Sequence, residues 1–190
     1  MFEKQLGLTV SVAKSVVVAS KPSVAAKIVK RSKAKKLSPT RHAKLLGTGA
    51  GGGRRRTTAV VRTRLRAFKS SMARMWKLKK AGANTKLMTR AAGTATVGYG
   101  IEVQGASDAM LKNQRSVISR AAAPQSGGRN PTRNLCAIDG STGTMDPLFD
   151  AHVLPVKHWA LAWWESWADT STLEAAHNNA KQKLRDSSIG

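Results

Sequence analysis

Leu8-Thr9-Val10-Ser11-Val12 alternates apolar and polar side chains with period two, and Ser15–Ser20 encloses the β-branched run Val16-Val17-Val18. The pattern predicts two short strands turning at Ala13-Lys14. Ser20 and Pro22 then give a helix start. Val24, Ile28 and Val29 lie on one face of that helix, with Lys27, Lys30, Arg31 and Lys33 on the other. It must stop before Ser38-Pro39, because a residue preceding proline is pushed out of the helical region. His42–Leu46 reads as a brief extended stretch. The strongest periodicity follows from about Thr57 to Ala81, where Val61, Leu65, Phe68, Met72 and Met75 recur at steps of 4, 3, 4 and 3. One long helix with a single apolar stripe is predicted, stopped by Gly82.

The second half is also helical in pattern. Asn84-Thr85 is a cap for a short helix, and Gly98-Tyr99-Gly100 is a break. Ser107 caps a helix from Asp108 to about Ala123, with Leu111, Val117, Ile118 and Ala121 facing inward. Pro124 to Arg133 reads as a loop. Asp146-Pro147 and Leu154-Pro155 each read as helix starts, and Ser171 with Glu174 has capping-box spacing for a last helix to about Arg185. Trp159, Trp163 and Trp167 recur at i, i+4 and i+8 with Trp164 adjacent. This stripe is read as core packing or a protein contact ahead of a base-stacking platform, since only Lys157 lies close to it in sequence. The fold class is therefore α+β, predominantly helical, with a small β-hairpin near the amino terminus, a long basic helix and a helical carboxy-terminal half. Three regions result: 1–53, 54–123 and 124–190.

Charge sharpens this picture. The 190 residues include 33 Lys or Arg and 10 Asp or Glu, a formal +23. Residues 1–90 hold 24 of the bases and one acid, Glu3, whereas residues 91–190 hold nine of each. No carboxylate lies between Glu3 and Glu102, so the bases of the first half have no acidic partner within it. One-signed crowding on a helix costs repulsion at every i,i+4 pair unless an anion neutralises it, and the expected anion is nucleic acid. The candidate phosphate contacts are Lys30, Arg31, Lys33, Lys35, Lys36, Arg54, Arg55, Arg56, Arg62, Arg64, Arg66, Lys69, Arg74, Lys77, Lys79 and Lys80. Such contacts carry little sequence preference.

Other chemistries find little purchase. Cys136 is the one cysteine, and no run approaches the length of a membrane span, so an intracellular compartment, the nucleus included, is expected. The strand-like amino terminus argues against a transit peptide. Gly47, Gly49 and Gly52 satisfy G-x-G-x-x-G, but no long apolar strand precedes them and no acid follows at the ribose position, so residues 47–53 read as a hinge. His152, His158, His177 and Cys136 lack zinc-site spacing. Asp139, Asp146 and Asp150 are read as turn and cap residues rather than magnesium ligands. No metal, cofactor or catalytic set is expected.

The order of short motifs resembles one family. Gly7–Ser15 followed by Val16–Ser20 resembles the segment after the catalytic Tyr-Ala-Asp-Asp strand in reverse transcriptases of non-long-terminal-repeat retrotransposons. Ala43-Lys44-Leu45-Leu46-Gly47 is similar to that family's primer-holding motif, and Ala92-Gly93, Val97–Gly100 and the helix from Ser107 are similar to its thumb and post-polymerase region. The resemblance covers residues 5–123. It departs where Ala13 replaces an asparagine and Leu45 replaces an aromatic residue. It implies a place for Lys14 near the departing pyrophosphate. The family's metal-binding aspartates have no counterpart here, and paired carboxylates are needed to hold two magnesium ions. The expectation is a non-catalytic, remnant reverse-transcriptase chain that binds RNA or an RNA–DNA hybrid. A ribosomal or chromatin-type basic protein, and a relic without selected function, are the alternatives.

Overall fold

Parallel strands cannot be joined by a tight turn; the chain needs a crossover long enough to return to the starting end of the sheet. Residues 16–40 supply one. In the computed structural model, which describes residues 15–32, 37–45, 47–52, 57–123, 130–139 and 142–187, strand β1 (Val16–Val18) runs into helix α1 (Pro22–Arg31) and returns as β2 (Ser38–Thr40), parallel to β1. The expected strand at Leu8–Val12 and its turn at Lys14 lie outside the described residues, as do Lys33, Lys35, Lys36 and Arg54–Arg56. Helix α1 turns Ala25 inward, whereas Val24 and Ile28, on the apolar face, are 40% and 44% exposed. A two-stranded sheet offers too little surface to cover the wider stripe.

The glycine run forms structure of its own. Strand β3 (His42–Leu45) pairs antiparallel with β4 (Thr48–Gly51), so Gly47–Gly51 belongs to a hairpin and not to a hinge. Gly47 turns the chain at φ +88°, and a Cβ there would stand 2.8 Å from the Tyr99 ring, so the position requires glycine on both counts.

The long basic helix is two helices, α2 (Ala59–Ser70) and α3 (Met72–Lys80). Ser71 breaks the bonding pattern: its N–H bonds to the Phe68 carbonyl, and its hydroxyl donates to the same oxygen at 2.7 Å. Ser71 keeps right-handed helical dihedrals, so the apolar stripe stays in phase across the break. Val61, Leu65 and Phe68 are buried, and Met72 and Met75 pack against the same core.

Helix α4 (Thr85–Met88) is capped by Asn84, whose side chain accepts from the Leu87 N–H. It continues through a π turn (Thr89–Gly93) into α5 (Thr94–Gly98) and, after left-handed Gly100, α6 (Ile101–Gln104). Helix α7 (Asp108–Ala122) carries the centre of the core. It is capped by Ser107, and its Leu111, Val117, Ile118 and Ala121 are all buried. Around it lie Leu65, Phe68, Val97 and Leu135. Two buried polar contacts tie neighbouring helices to α7: Gln114 Nε2 donates to the Val97 carbonyl at 3.0 Å, and Asn134 Nδ2 to Ser119 Oγ at 3.1 Å.

Three expectations in the last third are corrected. Residues 131–133 are helical, not loop: α8 spans Pro131–Asp139, with Asn130 Oδ1 accepting from the Thr132 N–H as an N-cap does. Leu154-Pro155 is not a helix start, since α9 runs unbroken over Pro147–Trp164 with Pro155 inside it. Proline there removes one donor, that for the Ala151 carbonyl, without ending the helix. The last helix, α10 (Thr170–Ser187), is capped by Asp169 and not by Ser171. The Asp169 carboxylate accepts from the Thr172 N–H and from the Ser171 and Thr172 hydroxyls. Those bonds hold its carboxyl at about 2, below the ordinary carboxylate value.

Candidate nucleic-acid interface

Helix α2 sets two parallel stripes side by side. One residue on from the buried Val61, Leu65, Phe68 stripe lie Arg62, Arg66 and Lys69, all exposed. Because α2 packs inward through the first stripe, the second is held beside the packed face. The step from Arg62 to Lys69 covers about 10 Å of helix axis, close to three phosphate rises of about 3.4 Å along one duplex strand.

Those three cations line an open depression of about 410 Å³ whose other wall is the start of α7, with Ser107, Met110 and Asn113. A second depression, of about 350 Å³, meets the first at Arg62 and adds Arg41 and His42 from the hairpin and Thr57 and Thr58 from the start of α2. The first turn of α2 carries no acid. Among the described residues, the ion pair is Arg115–Asp146 at 2.7 Å, with both partners from the neutral half. The described bases of the first half are thus not turned onto the described acids of the second by direct pairing. Arg90 comes nearest to an exception: it donates to Thr144 Oγ1 at 3.1 Å, and its charge acts on Asp139.

Two residues expected in the interface are employed elsewhere. Arg64 donates to the carbonyls of Tyr99 (3.1 Å) and Gly47 (2.6 Å), and its guanidinium lies 5.0 Å from the Tyr99 ring centroid. With Gln104, which donates to the Gly49 carbonyl, it fastens the hairpin to the helical body. Lys79 donates to the Arg120 and Ala123 carbonyls and so caps the end of α7; burial lowers its pKa. Its place in sequence explains this, since Lys79 continues the inward stripe four residues after Met75. Lys30, Arg31, Arg74, Lys77 and Lys80 are exposed.

Trp76 is a further residue of this surface, outside the cations that charge alone singles out. It lies on α3, is 60% exposed, and has Lys80 Nζ 3.9 Å from its ring centroid. The step 62, 66, 69, 73, 76, 80 that extends the cationic stripe would have revealed it.

Of the two readings of the other tryptophans, core packing is not met. Trp159 and Trp163 stand edge to face at 6.2 Å, and His177 stacks on Trp159 at 6.3 Å. They are 37% and 38% exposed, so neither is core. Trp167 is not on their helix. The chain leaves α9 at Ser166 (φ +50°), and the Trp167 N–H returns to the Ala162 carbonyl in a Schellman closure. Its indole N–H donates to Glu165 at 2.7 Å, so this surface carries an acid where the α2–α3 stripe carries bases.

Of the three acids expected in turns and caps, Asp146 is a cap, Asp139 ends α8 with its carboxylate holding the turn that follows, and Asp150 lies inside α9. Asp139 accepts from the Met145 N–H, Thr142 and Thr144. Burial pushes its pKa up, but these bonds and the Arg90 charge together hold it below the ordinary value. Asp146 caps α9 and pairs with Arg115. Asp150 is raised by burial and by Glu102, Asp146 and Asp139. Among the described residues no group of His, Cys, Asp and Glu could hold a metal ion, and no helix is long and apolar enough to cross a membrane. No family model, curated protein or solved structure matches the chain.

Proposed function

We propose that the chain binds nucleic acid, RNA or an RNA–DNA hybrid, through phosphate contacts along α2 and the adjoining hairpin, acting as a binding module without turnover. The observation that carries this reading is the stripe Arg62, Arg66, Lys69: exposed cations beside a packed face, with no ion-pair partner among the described residues, lining two depressions that meet at Arg62. Like charges held this close repel one another, and a polyanion that displaces their counterions removes the cost. The order of motifs resembling reverse transcriptases supports a retroelement origin, and the paired strands His42–Leu45 and Thr48–Gly51 suit a segment that lies against a primer strand.

Fluorescence anisotropy with a labelled duplex at increasing salt tests the proposal. If Arg62, Arg66, Lys69, Arg74, Lys77 and Lys80 each meet a phosphate, log K against log salt falls with a slope of about −5. An affinity that is flat between about 50 and 200 mM salt refutes it.

A further inference from the structure

A phosphate stripe by itself does not distinguish a duplex from a single strand, but the stripe on this protein does not consist of cations alone. Arg62, Arg66, Lys69, Ala73, Trp76 and Lys80 follow one another at steps of 4, 3, 4, 3 and 4. The packing of Met72 and Met75 against the core of Leu65 and Phe68 shows that helical phase survives the break at Ser71. The neighbouring stripe therefore keeps its phase as well, and Trp76 stands in line with the cations at its lower end.

An indole buried for packing would be covered. Trp76 is 60% exposed, and among the described residues no other ring packs against it. Lys80 Nζ lies over one face, 3.9 Å from the centroid. Helix α3 holds Arg74, Lys77, Lys79 and Lys80 and no acid. A flat aromatic surface interleaved with cations is the arrangement that takes an unpaired base on the ring and its phosphates on the side chains. In a duplex the base faces are already stacked on one another, and a surface indole cannot reach them without extrusion of the nucleotide. Trp159 and Trp163 lack this setting, with Glu165 and Asp169 following them in the chain.

We propose that Trp76 is a stacking platform for one unpaired base, so that the stripe from Arg62 to Lys80, whose cations meet the phosphates of either form, holds single-stranded nucleic acid more tightly than a duplex. This rests on the phosphate reading above. The stripe runs about 27 Å along the helix axis, a length suited to a strand of several nucleotides.

The test compares Trp76→Ala and Trp76→Phe with the unaltered full chain, using a labelled single strand of about 12 nucleotides, in RNA and DNA forms, and a hairpin duplex. Circular dichroism and thermal unfolding verify that the variants fold, and an exposed ring makes this the expected result. Trp76→Ala is expected to weaken single-strand binding about five- to 150-fold, with duplex binding changed by less than about twofold. Trp76→Phe should recover most of the loss, because phenyl retains a stacking face. The salt slope should be unchanged in both, since no charge is altered. Single-strand affinity unaffected by Trp76→Ala, with the salt slope intact, overturns the platform and leaves the phosphate stripe standing. Equal losses on single strand and duplex also overturn it. An unaltered chain with no salt slope on any probe defeats the phosphate reading itself.

Discussion

Arg62 and Arg64 are two residues apart on one helix and carry the same charge, yet their substitution should have opposite consequences. Arg64 reaches back to the Gly47 and Tyr99 carbonyls and lies against the Tyr99 ring, while Arg62 is exposed at the junction of the two depressions. In Arg64→Gln both carbonyls lose a charged donor, and the hairpin loses one of its two side-chain fastenings. A hydrogen bond to a charged group contributes about 1.5–3 kcal/mol where it is shielded from water. Only the Gly47 bond is part-buried, so the expected loss is about 2 kcal/mol, or about 4–8 °C in Tm for a chain of this size. Arg62→Gln removes no structural contact and should leave Tm within about 1 °C. Binding should show the reverse. The combined replacement of Arg62, Arg66 and Lys69 by Gln should make the duplex salt slope shallower by about 2.7, at about 0.9 per lost phosphate contact. Arg64→Gln, measured well below its lowered Tm, should leave the slope unchanged. The assays are calorimetric unfolding and anisotropy over a salt series. A Tm unaffected by Arg64→Gln, or a slope that falls as much for Arg64→Gln as for Arg62→Gln, would refute this division of the helix into a clamp and a binding stripe.

At Gly93 the π turn brings a would-be Cβ within 2.8 Å of Phe68 Cζ and 3.2 Å of Thr89 Cγ2, so Gly93→Ala should destabilise by about 1–2 kcal/mol in denaturant unfolding, the overpacking outweighing the gain in helix propensity; net stabilisation would show that the helices separate freely. Asp169 and Asp139 are more acidic in the folded chain than in the unfolded one, so their contribution is fully present above the ordinary carboxylate range and is lost as pH falls through their folded values, about 2 for Asp169. Asp150 is raised and acts oppositely, favouring the folded state as pH falls through its folded value; Asp169→Asn should flatten the acid limb of the stability curve and Asp150→Asn should steepen it, and curves unchanged in both would count against these assignments.

Much of the helical architecture was legible in local pattern. The stripe from Val61 to Met75, the Ser107 cap and the inward face Leu111, Val117, Ile118, Ala121 all stand where the periodicity put them, because a helix that buries one face must repeat its apolar residues every third or fourth position. Asn130-Pro131 and Asp169 are also cap-type residues, but Asn130 adjoins a Gly- and Pro-rich run of loop character and Asp169 competes with Ser171, which has capping-box spacing to Glu174, so local pattern does not choose between them. The absence of acids between Glu3 and Glu102 is likewise a property of the chain, fixed before it folds.

What each base does was decided only by the tertiary structure. Nothing local distinguishes Arg64 from Arg62, and the helical phase that turns Lys79 inward does not say what it meets there; both roles come from carbonyls brought up from Gly47, Tyr99, Arg120 and Ala123, far away in sequence. The partner of β1 is non-local in the same sense, since Val16–Val18 and Ser38–Thr40 meet only through the crossover helix between them. A short-range pattern encodes which face of a helix turns inward, whereas a hydrogen bond between distant segments exists only once packing has set their separation, and so it leaves no period in the sequence.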